Sequence, residues 1–323
     1  MFRNNSPDKK PDASKELKST SFFLVPGATL DDHKFLCAMK DFEKNVPLFL
    51  DDLPRSVQEI PEIGRGATSE VFKAVFHNKT VALKVLRDRI TKEYMNEISV
   101  MKQLHSDNVV KLIGTIFNKR RSIIILEYCA NGKLTDWLKK HQDISYGEQL
   151  RLAIGINEGL VEIHKAFVHG DFSSNNVFLD ESNNPKIGDF GFSFKTSKSI
   201  SEQKQDGSPG TLEYAAPELF DHDLRSTKSD IYSFGVVLWE ISTQKKFTLA
   251  MSRKVSDERN ISSLLKDIPI VFQELIKACW QTNPEQRPSA KMIAYVLHLA
   301  LNELNQETEV ATDEPKIGFR NQR

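Results

Sequence analysis

In the stretch HGDFSSNNVFLD (169–180), His169 and Asp171 stand two apart and Asn176 follows Asp171 by five, giving H-x-D-x-x-x-x-N. An Asp at that place can meet the proton of an acceptor hydroxyl, and the amide oxygen of the Asn is a ligand for a hard cation. Asp189, which opens the tripeptide DFG (189–191), offers a second oxygen ligand. Asn176 with Asp189 suits Mg2+, which keeps several waters and bridges phosphates. The chemistry these residues would serve is phosphoryl transfer.

Phosphates also need a cradle. IGRGATSEVFKAVF (63–76) carries Gly64 and Gly66, which have no Cβ to block a close backbone approach; the third position of G-x-G-x-x-G is Ser69, a departure. Further on, Lys84 ends the apolar run VALK. A buried ammonium there must find a counter-charge. Glu97, on the amphipathic stretch TKEYMNEISVMKQL (91–104), is the natural partner, and Glu93 lies a turn nearer the start of that stretch. Lys84 so paired would reach the α- and β-phosphates of a nucleotide.

The elements that must hold these groups change character once along the chain. Residues 57–127 contain short β-branched runs, TVALKVL and SIIILEY among them, with one amphipathic helix. From 133 to 301 the apolar period is mostly helical, as in GEQLRLAIGINEGLVEIHKAF and SDIYSFGVVLWEIS. A small sheet-rich lobe followed by a larger helical lobe is therefore expected. Residues 1–20 hold little to bury and read as a disordered tail. Within the extension 21–56, Phe35, Leu36, Met39 and Phe42 recur at helical spacing, so a short helix is expected that braces the domain or docks a partner protein. Residues 302–323 lose the apolar period and read as a flexible tail.

Composition narrows the class. With 323 residues there is length for two lobes, and 39% hydrophobic residues supply a core. A formal net charge of zero provides no global field for nucleic acid or an anionic membrane. No apolar run has the length of a membrane helix, and the polar N-terminus does not read as a secretory signal. Cys37, Cys129 and Cys279 are scattered and odd in number, as thiols in a reducing compartment would be. A cytoplasmic location, without nucleic-acid binding or membrane insertion, is the expectation.

The ordered set of G-x-G, VALK, Glu97, HGDFSSNN, DFG, YAAPE (214–218), SDIYSFG (229–235) and RP (287–288) resembles a eukaryotic-type protein kinase over about residues 57–300. YSFGVVLWEI and LIKACWQTNPEQRPS are similar to the tyrosine-kinase-like branch that includes Raf and the mixed-lineage kinases. The resemblance implies an α+β bilobal fold, with a kinase domain at 57–301 divided into an N-lobe (57–129) and a C-lobe (130–301). It implies ATP and Mg2+ as cofactors and a protein as substrate. It implies Asp171 as base, Lys84 braced by Glu97 as phosphate clamp, and Asn176 and Asp189 as metal ligands. Ile63, Gly64, Arg65, Gly66, Ala67, Thr68 and Ser69 would cover the nucleotide. Val71, Ala82 and Phe178 would sandwich the adenine, with Leu126 behind it and backbone groups of Glu127 and Cys129 at its edge.

HGD in place of the usual HRD is also seen in small-molecule kinases, but those are not expected to carry GTLEYAAPE or the Glu218–Arg287 anchor. GTLEY, with Thr211 in reach of Asp171, is the serine/threonine style. Two departures matter. Gly170 stands where the family carries the Arg that grips a phosphorylated activation loop, so phosphates on Ser197, Ser199, Ser201 or Ser208 would lack that socket. Ser173 replaces the loop Lys that meets the transferring phosphate, and Asn175 supplies no cation either. The alternative reading is a pseudokinase, an ATP-binding scaffold with little or no phosphotransfer.

Overall fold

The β-branched runs of the first part pair as strands, and the helical periods of the second form helices. The computed structural model describes residues 61–66, 69–76, 79–87, 92–117, 122–197, 211–221, 225–255 and 258–313. The tail 1–20, the extension 21–56 with its expected helix, Ala67, Thr68 and residues 314–323 lie outside the described residues. Contacts divide the chain into two compact units.

The first unit is an antiparallel sheet in the order β1-β2-β3-β5-β4. Its strands are β1 (Glu62–Arg65), β2 (Ser69–Phe76), β3 (Lys79–Leu86), β4 (Leu112–Phe117) and β5 (Ser122–Glu127). SIIILE reads as an unbroken apolar run because β5 lies inside the sheet; Ile123, Ile124 and Ile125 are all buried, side chains of both faces included. A register shift at Ile63 aligns Gly64 with Val71.

The second unit holds α1 (Lys92–Met101), β6 (Gly132–Lys133), α2 (Leu134–Lys140), α3 (Tyr146–Ile163), β7 (Phe167–Val168), β8 (Val177–Leu179), β9 (Pro185–Ile187) and β10 (Phe194–Lys195). It continues through α4 (Glu218–Asp221), α5 (Thr227–Thr243), α6 (Leu249–Ser252), α7 (Glu258–Leu265), α8 (Ile270–Cys279) and α9 (Ala290–Asp313). Ser145 caps α3 by accepting from the Glu148 amide, and Ser226 with Ser229 forms a capping box at the start of α5. Helix α5 is buried along almost its whole length, with α8 packed on it, while α9 packs on α3. Small ladders β6-β8-β9 and β7-β10 frame the loop after β7. Gly159 lets α3 approach, since a Cβ there would stand 2.7 Å from the Asn108 carbonyl oxygen.

Helix α1 groups with the second unit, which takes Thr91–Lys111 and everything from Cys129 onward. The chain after α1 is pinned there by Val110 N donating to Ile187 O and Ile187 N donating to Asn108 O, both at 2.8 Å. Lys186 Nζ adds a bond to Asp107 O at 2.8 Å. Helix α9 continues past residue 302 to Asp313. Leu304 finds an apolar contact against Gly147, and Gln306, Glu307, Glu309 and Ala311 after it are good helix formers. Among the described residues no helix is long and apolar enough to cross a membrane.

Candidate active site

The loop between β7 and β8 is held from below by Asp230, a buried carboxylate in the first turn of α5. Its Oδ2 accepts from the His169 amide at 2.8 Å and its Oδ1 from the Gly170 amide at 3.1 Å. His164 Nε2 lies 3.0 Å from the same carboxylate. The His169 ring is fully buried, 5.3 Å from the Phe190 ring and 5.7 Å from that of Phe172. Fixing two consecutive amides and the intervening ring leaves the next residue, Asp171, little freedom.

Asp171 is surrounded by donors. Its Oδ1 accepts from the Thr211 amide at 2.8 Å and from Thr211 Oγ1 at 3.0 Å. Asn176 Nδ2 donates to the Asp171 carbonyl at 2.8 Å and more weakly to Oδ2 at 3.3 Å. With its amide nitrogen committed to Asp171, Asn176 presents its oxygen as the group for a cation. The Gly188 amide donates to the Asn176 carbonyl at 2.9 Å, which brings the residue before Asp189 onto the loop. Asp189 has an exposed side chain and a φ of +65°, a left-handed conformation that Asp tolerates better than most residues. Among the described residues no group of three or more His, Cys, Asp or Glu could hold a metal by itself. An amide oxygen and a carboxylate fit an ion that takes few protein ligands, as Mg2+ does with phosphates.

Helix α1 reaches this region through Asn96. Its Nδ2 lies 3.4 Å from the carbonyl oxygens of both Phe190 and Gly191 and also donates to the Ser193 carbonyl. Ser193 Oγ in turn donates to the His169 carbonyl at 2.9 Å. Glu97, on the same helix, is buried. Asn96 lies outside every motif, and nothing in its sequence setting marks it.

In the sheet unit the register collects the expected nucleotide residues on one face. Val71 is opposite both Gly64 and Lys84, Ala82 is opposite Leu126, and Ala82 and Lys84 are two apart on β3. Residues paired or spaced in that way point to the same side. Gly66 N donates to Ser69 O at 2.8 Å, closing the β1–β2 turn. Neither Gly64 nor Gly66 has a positive φ, and a Cβ on either would meet ordinary contacts of 3.6 Å or more. Packing among the described residues therefore does not require glycine at these positions. Ile63 is exposed, and the Arg65 guanidinium is engaged by Glu62 at 2.6 Å and Glu70 at 3.2 Å. In the helical unit, Phe178 on β8 lies beside Gly188, and the Cys129 carbonyl accepts from the Gly132 amide at 3.1 Å. Lys84 stands on β3 in one unit and Glu97 on α1 in the other.

The two departures have structural counterparts. Gly170 has a φ of +81°, and a Cβ there would stand 2.6 Å from the Phe192 carbonyl oxygen. Ser173 is fully buried, and its hydroxyl has no hydrogen-bond partner. Asn175 accepts from Thr135 Oγ1 at 3.0 Å.

Two anchors hold the chain beyond Thr211. Arg287, buried, forms a two-pronged pair with Glu218, both bonds being 2.7 Å. Tyr214 OH lies 2.9 and 3.0 Å from the two oxygens of Glu240 and 2.9 Å from Ser174 Oγ, which itself meets Thr135 Oγ1 at 2.7 Å. Burial pushes both the Tyr214 hydroxyl and the Glu240 carboxyl upward in pKa. The Glu218–Arg287 anchor follows from motif residues; the Tyr214–Glu240 network had no sequence signal beyond a Glu on an otherwise apolar helix.

Residues 57–297 match the family model described as protein tyrosine and serine/threonine kinase. A probable serine/threonine-protein kinase of Dictyostelium discoideum is 33% identical over 282 residues, covering 82% of this chain and 27% of that protein. A serine/threonine/tyrosine-protein kinase of Arabidopsis thaliana is 28% identical over 249 residues, 72% of this chain and 63% of its own. A putative mitogen-activated protein kinase kinase kinase 7-like protein of Drosophila melanogaster is 28% identical over 275 residues, 79% of this chain and 67% of its own. The chain belongs to the protein kinase family, in its tyrosine-kinase-like branch. It spans about a quarter of the Dictyostelium relative and less than two thirds of the Arabidopsis one.

Proposed function

We propose that the chain is an ATP- and Mg2+-dependent protein kinase acting on Ser and Thr hydroxyls, with residues 57–301 as the catalytic domain. The observation that carries the reading is the Asp171 carboxylate, with Oδ1 saturated by Thr211 and Oδ2 in only one long bond to Asn176. One oxygen holds the group in place and the other is available to an acceptor hydroxyl, which it orients and whose proton it receives. Thr211 at this contact favours a Ser or Thr acceptor.

ATP would supply the phosphoryl group, and Mg2+ would draw off the charge on its oxygens. The Asn176 oxygen and Asp189 would hold the metal, and Lys84 braced by Glu97 would hold phosphate oxygens. Among the described residues a Cβ on Gly64 or Gly66 would meet only ordinary contacts, so the missing side chains there suit a hairpin approaching phosphates. Val71, Ala82, Leu126 and Phe178 would enclose the adenine, with backbone groups of Glu127 and Cys129 at its edge. Ser173 brings no cation to the loop. Losing one preorganised donor of that kind lowers rate by roughly 10²–10³, so a slow enzyme is expected.

The test is phosphotransfer from labelled ATP with Mg2+ to a generic basic protein and to the chain itself, with mass spectrometry locating each phosphate. Asp171→Asn and Asp189→Asn should each reduce labelling of Ser and Thr by roughly 10²–10⁴-fold. A wild-type protein that binds ATP yet labels no better than these variants would replace the enzyme with an ATP-binding scaffold.

A further inference from the structure

Two short segments meet at Asp171, and the bonds between them are spaced alike. Thr211 holds Asp171, and three residues further along each segment Ser174 Oγ lies 2.9 Å from Tyr214 OH. Segments 171–174 and 211–214 are thus tied at both ends. Tyr214 N donates to Thr211 O at 3.0 Å, which makes 211–214 a tight turn. Asp171 and Phe172 of one segment and Thr211 and Tyr214 of the other line a small cavity, so side-chain packing does not fill the space between them. The hydrogen bonds are what set their spacing.

The two ties differ in what stands behind them. Among the described residues Thr211 bonds only to Asp171 and, through its carbonyl, to the Tyr214 amide. Tyr214 is anchored to helix α5 twice: its OH meets Glu240, and its carbonyl accepts from Ser233 Oγ at 2.8 Å. Ser174 is anchored to α2 through Thr135 Oγ1 at 2.7 Å. Ser174 and Tyr214 are both buried, so water does not compete for the bond between them. We propose that Ser174 and Tyr214 are positioning residues for phosphotransfer: their bond fixes the turn that carries Thr211, and through Thr211 it fixes the Asp171 carboxylate. With the bond cut, a small rotation of the turn takes Thr211 off Asp171, and Oδ1 loses two donors together. A misplacement of about 1 Å at such a group can lower rate by roughly 10²-fold.

The effect on turnover rests on the kinase reading and the effect on Thr211 does not, so the two are measured apart. Hydrogen exchange of the Thr211 amide, which donates to Asp171 Oδ1, follows the turn without any substrate. Ser174→Ala and Tyr214→Phe each remove the bond and should speed that exchange by about 3–10-fold. A bond that served stability alone would speed only the slowest amides, which exchange by global unfolding, and leave Thr211 unchanged. In phosphotransfer both variants should lower kcat by about 10–100-fold and leave KM for ATP where it was. On a Thr211→Ala background, adding Ser174→Ala should lower kcat by much less than it does in wild type, because the two act on one carboxylate. The proposal is overturned if Thr211 exchanges at the wild-type rate in both variants. It is equally overturned if KM for ATP rises while kcat holds, or if the losses from Ser174→Ala and Thr211→Ala multiply as independent effects. Should one of the two variants fail to fold, the other decides. A wild-type protein that transfers no phosphate would remove the kinase reading, and the Thr211 exchange rate would still decide whether Ser174 and Tyr214 hold the turn.

Discussion

Gly170 shows how a missing side chain can be required and not merely tolerated. Its φ of +81° and the 2.6 Å approach of a Cβ to the Phe192 carbonyl leave no room for another residue without moving backbone. Gly170→Ala should lower unfolding free energy by about 1–3 kcal/mol, measured by urea denaturation. Gly170→Arg, which restores the commoner kinase residue, should lose as much and gain no activity. Equal stability of wild type and both variants would show that the loop can take another path. From sequence, Gly170 reads either as an arginine lost or as a glycine that relaxes a tight turn. Asp171, Asn176, Thr211 and Asp230 were legible because their partners lie within motifs of fixed spacing. Arg225, whose side chain passes Gly170 and lies over the Phe192 ring, was not, since no local pattern connects the three.

Among the elements, α3, α5 and α8 were visible as apolar periods, because each buries one or more faces in the helical unit. The assignment of α1 to that unit was not visible: it depends on Asn96 and on the backbone pairing of 108–110 with β9, neither of which leaves a pattern in sequence. The length of α9 leaves no apolar period in the sequence, because residues 302, 303 and 305–307 are exposed. Arg287 joins the elements on either side of it. Beyond its pair with Glu218 at the start of α4, it donates to the Lys228 carbonyl in α5 at 3.0 Å, and Lys228 Nζ donates to the Arg287 carbonyl at 2.6 Å. Glu218→Ala would strand a guanidinium that is fully enclosed. Breaking a buried pair from one side typically costs about 3–5 kcal/mol. Thermal melting should show that loss in Glu218→Ala, and a loss within the range of ordinary surface substitutions would mean water reaches Arg287 readily.

At the scale of the whole molecule, the Glu240 carboxyl makes stability depend on pH with a definite sign. It is buried on α5, faces Tyr214 OH, and accepts from the Phe247 amide at 3.0 Å. Burial is the largest influence and raises its pKa above the ordinary 4.5; the hydrogen bonds from Ser174, Phe247 and Tyr214 and the charge of Lys246 act in the other direction without overcoming it. Between 4.5 and the higher folded value, the folded state holds a proton that the unfolded chain has released. Folding stability must then fall as pH rises through that window, and the loss is complete once the carboxyl is ionised in both states. Glu240→Gln keeps the shape and a carbonyl acceptor for Tyr214 and Phe247 but cannot ionise. Urea denaturation from pH 4.5 upward should therefore show wild type losing stability relative to Glu240→Gln as pH rises, with the difference levelling off above the folded pKa. A difference that stays flat, or that runs the other way, would mean the donors around Glu240 outweigh its desolvation. The carboxylate would then stabilise the link from Thr135 through Ser174 and Tyr214 to α5 instead of straining it.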